Sequence, residues 1–278
     1  MLEVGFFSAI PLTLITIEMF HQFSIETAKK TLQKCAGEEK CEGRVEALER
    51  LSKAEQELGK YNFGSADFSD ANLKSANLGS ANLWSANLES ANLESANLGS
   101  ANLGSANLES ANFISANLGS ANLYSADLEF ADLRSANLEF AKLGFASLYS
   151  ANLESANLKS ANFISANLES ANLWYADLSF ADLKDANLRD TNLKGANLKD
   201  ADLWAANLEN TNLTEVSHLT DSQIKKSCNW EKAIYKGNWD ENNNTLIVDE
   251  AANQEYIQRL KQDKASDPVT PVDCSRWE

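Results

Sequence analysis

Histidine and cysteine have the most versatile side-chain chemistry, and this chain of 278 residues contains only two of the first and four of the second. His21 and His218 lie far from each other and from every cysteine in the sequence, so no nucleophile–base pair or metal motif is visible. The glycines are spaced as corners of a repeat and form no phosphate-binding loop. The sequence therefore predicts no enzyme activity, no cofactor and no metal site.

The cysteines stand at positions 35, 41, 228 and 274. Cys35 and Cys41 are close enough in sequence for a disulfide across a short loop, which would persist only in an oxidising compartment. We expect a cytoplasmic protein from the remaining features, so the residues leave the bonded and the reduced state of this pair open.

A five-residue repeat is the element that must position every other side chain. Each phrase has a small residue, then Asn or Asp, then Leu or Phe, then two variable positions, and its apolar centres run from Phe63 to Leu213 in 31 phrases. A helix turns about 100° per residue and a strand about 180°, so neither collects residues five apart on one side. The pattern predicts a chain that turns a corner every five residues and buries its centres in one column.

Residues 61–215, with strings such as SANLGSANLWSANLES, resemble the pentapeptide-repeat family and its A(D/N)LXX motif. The resemblance implies an all-β solenoid, a right-handed quadrilateral β-helix of about eight coils with 20 residues each. Asn and Asp suit the turns, since they bond their own backbone, and stacked Asn side chains can form amide ladders. Lys142 and Ser147 depart from the motif. We interpret them as outward positions that drifted, and a bent or broadened rod is the alternative.

With four phrases per coil, the first variable positions fall into four columns along the rod. One column predicts a protein-contact face, because large apolar residues alternate there with glycine. Its members are Trp84, Tyr124, Ile164 and Trp204. The alternative is that these side chains merely cover neighbouring coils.

A second column is an acidic stripe, which is either a contact surface or a solvated face. Its members are Glu89, Glu109, Glu129, Glu169 and Glu209. The net charge of the chain is −16, which argues against direct nucleic-acid binding and favours basic partners or simple solubility.

The segment before the repeat contains an uncharged apolar run at residues 4–17. A bilayer span needs about 20 residues, so we expect residues 1–23 to be either a membrane anchor, reaching through residues 4–23, or an apolar cap. Lys29, Lys30 and Lys34 would place an anchored rod on the cytoplasmic side. As a cap, the segment would cover the first coil or pair with another chain, which leaves a homodimer open.

The remaining flanks are predicted to close the solenoid. Residues 24–60 are expected to form a helical cap with a helix from Ser24 to Lys34 and another from Glu42 to Leu58. Residues 216–262 are expected to form the C-terminal cap, with a capping box at Thr220 and a helix capped by Asp249. The segment NLTDSQIKKSCNWEKAIYKGNWD is similar to the closing segment of cyanobacterial-type members of the family. Residues 263–278 are predicted to be disordered.

These features predict a non-enzymatic scaffold that binds an unidentified protein partner, with or without membrane attachment. The resemblance also implies an alternative, because quinolone-resistance members of the family are acidic rods that mimic DNA and bind DNA gyrase. Those members have irregular repeats and a dimer-forming C-terminal helix, whereas the repeats here are close to the ideal motif. A regulatory rod fused to a membrane segment is a further form of the scaffold hypothesis.

Overall fold

The computed structural model describes residues 12–35, 41–54, 56–240 and 245–277. Its central feature is a stack of coils joined by parallel bridges between residues 20 apart, from Glu57 with Asn77 to Asn197 with Ser217. Each coil therefore contains four phrases, and residues 20 positions apart share one face of the solenoid.

The backbone of each phrase is fixed by the same set of hydrogen bonds. The Leu73 amide donates to the Asn92 carbonyl of the next coil at 2.8 Å, and the Ala76 amide donates to the Leu73 carbonyl at 2.9 Å, which closes the corner. The second variable position of the repeat phrases adopts a left-handed conformation, with φ from 53° at Ser125 to 67° at Gly195. This turn at every fifth residue lets all the centres point inward.

The Asn side chains connect the turns and the coils, as the sequence predicts. Asn102 Oδ1 accepts a hydrogen bond from the Gly104 amide at 3.3 Å, and Asn102 Nδ2 donates to Asn82 Oδ1 on the preceding coil at 3.2 Å. Both the turn bonds and the predicted amide ladders are therefore confirmed. They satisfy polar groups that crowd together at each corner.

The core is a single column of Leu, Phe and Ala along the axis. Phe68, Phe113 and Phe163 are fully buried, and the Leu centres from Leu73 to Leu213 are at most 4% exposed. Burial of these side chains and the ladder bonds between coils stabilise each other, because neither element can form without stacking.

Helix α1 spans Leu12–Lys34, and helix α2 spans Arg44–Lys53. The prediction that a helix begins at Ser24 is wrong, because α1 passes through Ser24 without a break. No Gly or Pro interrupts the sequence between Leu12 and Lys34, so nothing ends the helix there. Residues 1–11 of the predicted membrane segment, and the side chains of residues 12–18, lie outside the described residues. Among the helices that are described, none combines the length and hydropathy needed to cross a bilayer.

The solenoid begins one phrase earlier than predicted. The Leu58 amide donates to the Asn77 carbonyl at 2.8 Å, and Leu58 is fully buried at the head of the column. The predicted helix from Glu42 to Leu58 is therefore too long, since Leu58 fits the five-residue spacing as well as the helical one. Leu48 and Leu51 of α2 are buried in the same apolar cluster as Leu58 and cover the first coil.

The C-terminal closure combines short elements. Helix α3 spans Asp221–Lys225, strands β1 (Gly237–Asp240) and β2 (Thr245–Val248) pair antiparallel, and helix α4 spans Glu250–Gln262. The predicted capping box at Thr220 and the cap of α4 at Asp249 are confirmed. Ile224 and Tyr235 are buried against the column and continue it beyond Leu213. Burial from the solvent raises the pKa of Tyr235 above its ordinary value.

The tail after α4 is ordered, which contradicts the prediction of disorder for residues 263–278. A disulfide joins Cys274 to Cys228, and Trp277 Nε1 donates to the Ala205 carbonyl at 2.8 Å. The Lys225 ammonium, with a side chain only 3% exposed, pairs with Asp267 at 2.8 Å and also donates to the Asp263 carbonyl. Polar composition suggested disorder, but these contacts with distant residues hold the tail on the solenoid.

The clamp between Lys225 and Asp267 is expected to weaken in acid. The hydrogen bond from Lys225 lowers the pKa of the Asp267 carboxyl below its ordinary value of 3.8. A depressed carboxyl pKa stabilises the folded state above pH 3.8, and this contribution disappears as the pH falls through the lowered value. The protection of amides 263–267 against hydrogen exchange, corrected for intrinsic exchange rates, should therefore fall more between pH 4 and pH 2 in the native chain than in an Asp267→Asn variant, relative to α4. Equal loss of protection in both chains would contradict this assignment.

Candidate interaction face

One face of the solenoid carries no acidic residue over five successive coils. This acid-free face is formed by residues 82–85, 102–105, 122–125, 142–145 and 162–165, which parallel bridges place above one another. Its outward side chains are aromatic, aliphatic, small or amide, and Lys142 is its one ionisable cation. In a chain with a net charge of −16, this face is locally neutral or positive.

Two aromatic side chains of the predicted contact face lie above glycines of the next coil. A Cβ added at Gly104 would lie 3.1 Å from the Trp84 ring, and one at Gly144 would lie 3.4 Å from the Tyr124 ring. Trp84 and Tyr124 nevertheless remain 51% exposed. Each ring therefore rests one side on the backbone and presents the other side to solvent.

Ile164 and Trp204, the other members of that column, are more covered. Both are half-buried, and Trp204 stands beside Ala205, whose carbonyl accepts the hydrogen bond from Trp277 of the tail. The Arg276 guanidinium also reaches Ser165 Oγ at 3.3 Å. The tail thus occupies the C-terminal end of this face, and the accessible apolar surface lies from Trp84 to Ile164.

A cleft of about 350 Å³ opens at the centre of the acid-free face. Tyr124, Phe145 and Ile164 form its apolar walls, and Gly144 also contributes to its lining. The rings of Tyr124 and Phe145 meet edge to face with centroids 5.5 Å apart. Lys142 contributes to the lining, so the cleft combines apolar walls with one positive charge at its margin.

Lys142 interrupts the amide ladder of this face. The ladder continues from Asn82 through Asn102 to Asn122, and Lys142 occupies the next step, although its backbone bonds to Ala121 and Leu123 are intact. The sequence interpretation as a drifted outward position overlooked that the exchange removes two ladder hydrogen bonds and the turn bond from the Gly144 amide, and that it adds a cation to the cleft.

Replacing Lys142 by Asn is expected to stabilise the protein. An Asn here would bond to Asn122 and Asn162 and would accept the turn bond from the Gly144 amide, and each such hydrogen bond contributes about 0.5–1.5 kcal/mol to the free energy of unfolding. Chemical denaturation measures the change, with Lys159→Asn on another face as a control that alters no ladder. A destabilised Lys142→Asn variant would show that Lys142 belongs to the structural framework.

Five aromatic residues occupy the left-handed corner position that Ser, Asp and other small or polar residues fill elsewhere. They are Phe130, Phe140, Phe145, Tyr175 and Phe180, with φ between 55° and 61°. All five are more than half exposed, so their strain is not offset by complete burial. Phe145 is the member that lines the cleft, and Phe130 packs against Tyr149 on the acidic side at 5.6 Å.

Phe140→Asn measures the strain at such a corner. Phe140 has φ 60° and is 57% exposed, and Asn tolerates this conformation better. We expect the free energy of unfolding to rise by about 0.5–1 kcal/mol. Ser120→Asn, one coil earlier in the same column, is the control and should change stability less. A decrease for Phe140→Asn would indicate that the ring stabilises the stack.

The predicted acidic stripe is less free than its sequence suggests. Glu129 accepts a hydrogen bond from Ser147 Oγ at 2.8 Å, Glu169 accepts one from Asn187 Nδ2 at 2.9 Å, and Glu209 pairs with Lys232 at 2.9 Å. Glu89 is exposed and Glu109 is half-buried. Several carboxylates thus link adjacent coils through hydrogen bonds or ion pairs. The stripe therefore has a structural role, whether or not it also binds a partner.

Sequence reasoning missed Phe145, Lys142 and Arg276 as neighbours of the predicted contact face. The first two were visible as departures from the repeat. Phe145 could have been connected to Tyr124 only by noting that it follows Gly144, which lies 20 residues after Tyr124 in the same column. Arg276 had no signal, because the tail reaches Ser165 across 111 residues of sequence.

Both pairs of cysteines are bonded in the structure. Cys35 pairs with Cys41 after the end of α1, and Cys228 pairs with Cys274 at the closure, with Cα atoms 5.6 Å apart in each pair. The second pair was not predicted, since its partners are separated by 46 positions. No group of three metal-ligating side chains occurs in the described part of the chain.

The coils, with four short phrases each and an Asn or Asp in every isolated bridge of the described residues, agree with the family comparison. The family described as pentapeptide repeats matches residues 66–104, 101–139, 136–174 and 176–214, which is more than half of the chain. The chain belongs to the pentapeptide-repeat family. No curated protein sequence is significantly similar to it.

Solved structures of pentapeptide-repeat proteins resemble the chain. HetL from Nostoc sp. strain PCC 7120, described as involved in the regulation of heterocyst differentiation, is 33% identical with a TM-score of 0.53, over 65% of this chain and 79% of HetL. Rfr23 from Cyanothece 51142 is 40% identical with a TM-score of 0.29, over 34% of this chain and 62% of Rfr23. QnrB1, a plasmid-mediated fluoroquinolone resistance protein, is 23% identical with a TM-score of 0.39, over 57% of this chain and 73% of QnrB1.

Proposed function

We propose that this pentapeptide-repeat protein is a non-enzymatic scaffold that binds a protein partner through its acid-free face. The observation that supports this most strongly is the row of half-exposed Trp84 and Tyr124 beside the cleft, on a face without carboxylates. Aromatic side chains held rigidly on a regular framework lose little entropy on binding and are frequent at the centres of interfaces.

The same features argue for binding and against catalysis. Proteins of this family are in general structural and non-catalytic. HetL, whose TM-score is higher than those of Rfr23 and QnrB1, is described as involved in a regulatory process. We infer a role of this kind, in which the regular solenoid presents contact residues at fixed spacing.

The proposal is tested by replacing the predicted contact residues together. A triple variant with Trp84→Ser, Tyr124→Ser and Trp204→Ser should lose partners that the native chain retains after cross-linking in a native lysate. The matched control is Phe140→Ser with Phe180→Ser, which removes exposed aromatic rings from a different face. Equal retention of partners by the native chain and the triple variant would contradict the proposal.

The acidic stripe supports a second candidate function, a DNA mimic that binds DNA gyrase or another DNA-binding protein. Its support is the run of Glu89, Glu109 and Glu129 on successive coils. A gyrase supercoiling assay tests it, because a DNA mimic should inhibit supercoiling at micromolar concentration, and Glu89→Gln with Glu109→Gln should relieve the inhibition. Absence of inhibition by the native chain would exclude gyrase.

Several finer features remain part of the proposal. We propose a right-handed quadrilateral helix of about eight coils with a helical cap at each end. The cytoplasmic location and a membrane attachment through residues 4–23 stay predictions, and so does a homodimer. The two disulfides favour an oxidising compartment instead of the cytoplasm. Thiol labelling of the chain in its native cells, before and after reduction, distinguishes these locations.

A further inference from the structure

We propose that the cleft at Tyr124, Phe145 and Ile164 binds a large apolar side chain of an acidic partner segment, whose carboxylates pair with Lys142 and Arg276. This inference rests on the proposed function and names the chemistry of the partner. It contrasts with the expectation from the net charge of −16, which favours basic partners.

The shape of the cleft fits one apolar side chain. Its volume of about 350 Å³ is open to solvent and is lined by the apolar side chains of Tyr124, Phe145 and Ile164. Gly144 has no side chain beneath the Tyr124 ring, where a Cβ would lie 3.4 Å from it, so the ring that forms this wall lies against the backbone. Apolar walls around a small concave site are typical of an anchor pocket for an aromatic or branched aliphatic residue.

The charges around the cleft select an acidic neighbour for that residue. No carboxylate belongs to the acid-free face from residue 82 to residue 165, and Lys142 lies in the cleft lining. The Arg276 guanidinium is bound to Ser165, which neighbours the Ile164 wall. A basic segment would meet two cations here, whereas an acidic segment would be attracted to both of them.

Both Lys142 and Phe145 break the local rules of the repeat at the same place. Lys142 gives up the amide ladder bonds that Asn makes at the preceding steps. Phe145 adopts φ 59° with a bulky side chain that is 54% exposed. Residues that lower stability without a structural gain concentrate at functional sites, and these two flank the same cleft.

The arrangement of the tail adds to the argument. Arg276 is held near the face by the Cys228–Cys274 disulfide and by the hydrogen bond of Trp277 to the Ala205 carbonyl. A cation placed by a covalent link loses less freedom on binding than one on a flexible tail. The cleft therefore combines apolar walls and Lys142 in its lining with a second cation, Arg276, which is fixed beside it at Ser165.

The probe for this site is a synthetic nine-residue peptide with a central Phe between four Glu or Asp residues on each side. Titration of the fluorescein-labelled peptide with the full chain at 150 mM NaCl, followed by anisotropy, should show saturable binding. Three control peptides carry Ala in place of Phe, Lys in place of the acidic residues, or Ser in place of the acidic residues. The Ala and Lys peptides should bind the cleft at least tenfold more weakly.

Variants of the chain distinguish this site from the rest of the surface. Tyr124→Ser and Lys142→Asn should each lower the affinity for the acidic peptide by about tenfold, as expected for an anchor contact and a partly desolvated charge. Lys159→Asn, on another face, should leave the affinity unchanged. The Lys142→Asn variant should melt at a higher temperature than the native chain while it loses affinity, so unfolding cannot explain the loss.

Each other outcome has a defined meaning. Unchanged affinity of the acidic peptide for Lys142→Asn and Tyr124→Ser overturns the site. If the Lys peptide binds as well as the acidic one and is weakened by Tyr124→Ser, the acidic partner is overturned and the proposed interaction face stands. Concentration-dependent dimerisation abolished by Tyr124→Ser would identify a second copy of the chain as the occupant and would also overturn the proposal.

Discussion

Leu128→Lys is expected to lower the free energy of unfolding by more than about 4 kcal/mol and to disrupt the centre of the solenoid. Leu128 is fully buried, and its amide donates to the Ser147 carbonyl of the next coil at 2.7 Å. A lysine at this position would bring an ammonium group into a column of Leu, Phe and Ala. The surrounding side chains offer it no carboxylate, so it must lose its proton or expel the coil from the stack.

The adjacent residue provides the matched control. Glu129 is half-buried at the surface, and its loss removes the hydrogen bond from Ser147 Oγ. We expect Glu129→Lys to change the free energy of unfolding by less than about 1 kcal/mol. Thermal unfolding followed by circular dichroism compares the two variants. Similar losses in both would mean that the inward and outward positions are assigned incorrectly.

Cys274→Ser is expected to release the C-terminal tail and to lower the stability of the closed end by about 4 kcal/mol, from the entropy of a loop of some 46 residues. Cys228 is almost fully buried next to the last coils, where it bridges to Asn207. The disulfide therefore fixes the tail to the solenoid itself. Without it, the pair of Lys225 with Asp267 and the bond from Trp277 must hold the tail alone.

Limited trypsin digestion and mass spectrometry measure this release, because Arg259, Lys264 and Arg276 lie in or beside the tail. The control is Cys41→Ser, which opens a disulfide that spans only six positions and should cost about 2 kcal/mol at the other end of the rod. Cleavage near the tail should rise in the first variant only. Equal cleavage of the native chain and the Cys274→Ser variant would show that the tail is held without its disulfide.

The two variants also connect stability to the proposed binding site. Release of the tail removes Arg276 from Ser165 but leaves Tyr124, Phe145 and Lys142 in place. The Cys274→Ser exchange should therefore weaken binding of the acidic peptide less than Tyr124→Ser does. This comparison separates the contribution of the tail from that of the cleft walls.

The sequence alone determined the solenoid. A period of five residues fits neither a helix nor a strand, and 31 phrases in register leave one way to bury every centre. The role of Asn at the turns, the ladder along each face and the capping box at Thr220 followed from local chemistry, because each joins residues a few positions or one coil apart. The candidate contact residues Trp84 and Tyr124 followed from the same periodicity together with the coil of four phrases that the family resemblance implied.

Only the tertiary structure decided the features that depend on distant parts of the chain. Polar composition predicted a disordered tail, but Cys228 and Trp277 fix it through contacts with no sequence signature. Helix α1 continues through Ser24, since a good N-cap residue does not begin a helix where the preceding segment is already helical. The net charge indicated basic partners or simple solubility, whereas the stacking of coils gathers neutral positions and Lys142 on one face. Composition averages over the whole surface, but a partner meets one face, and the coil length of 20 residues sets which side chains share it.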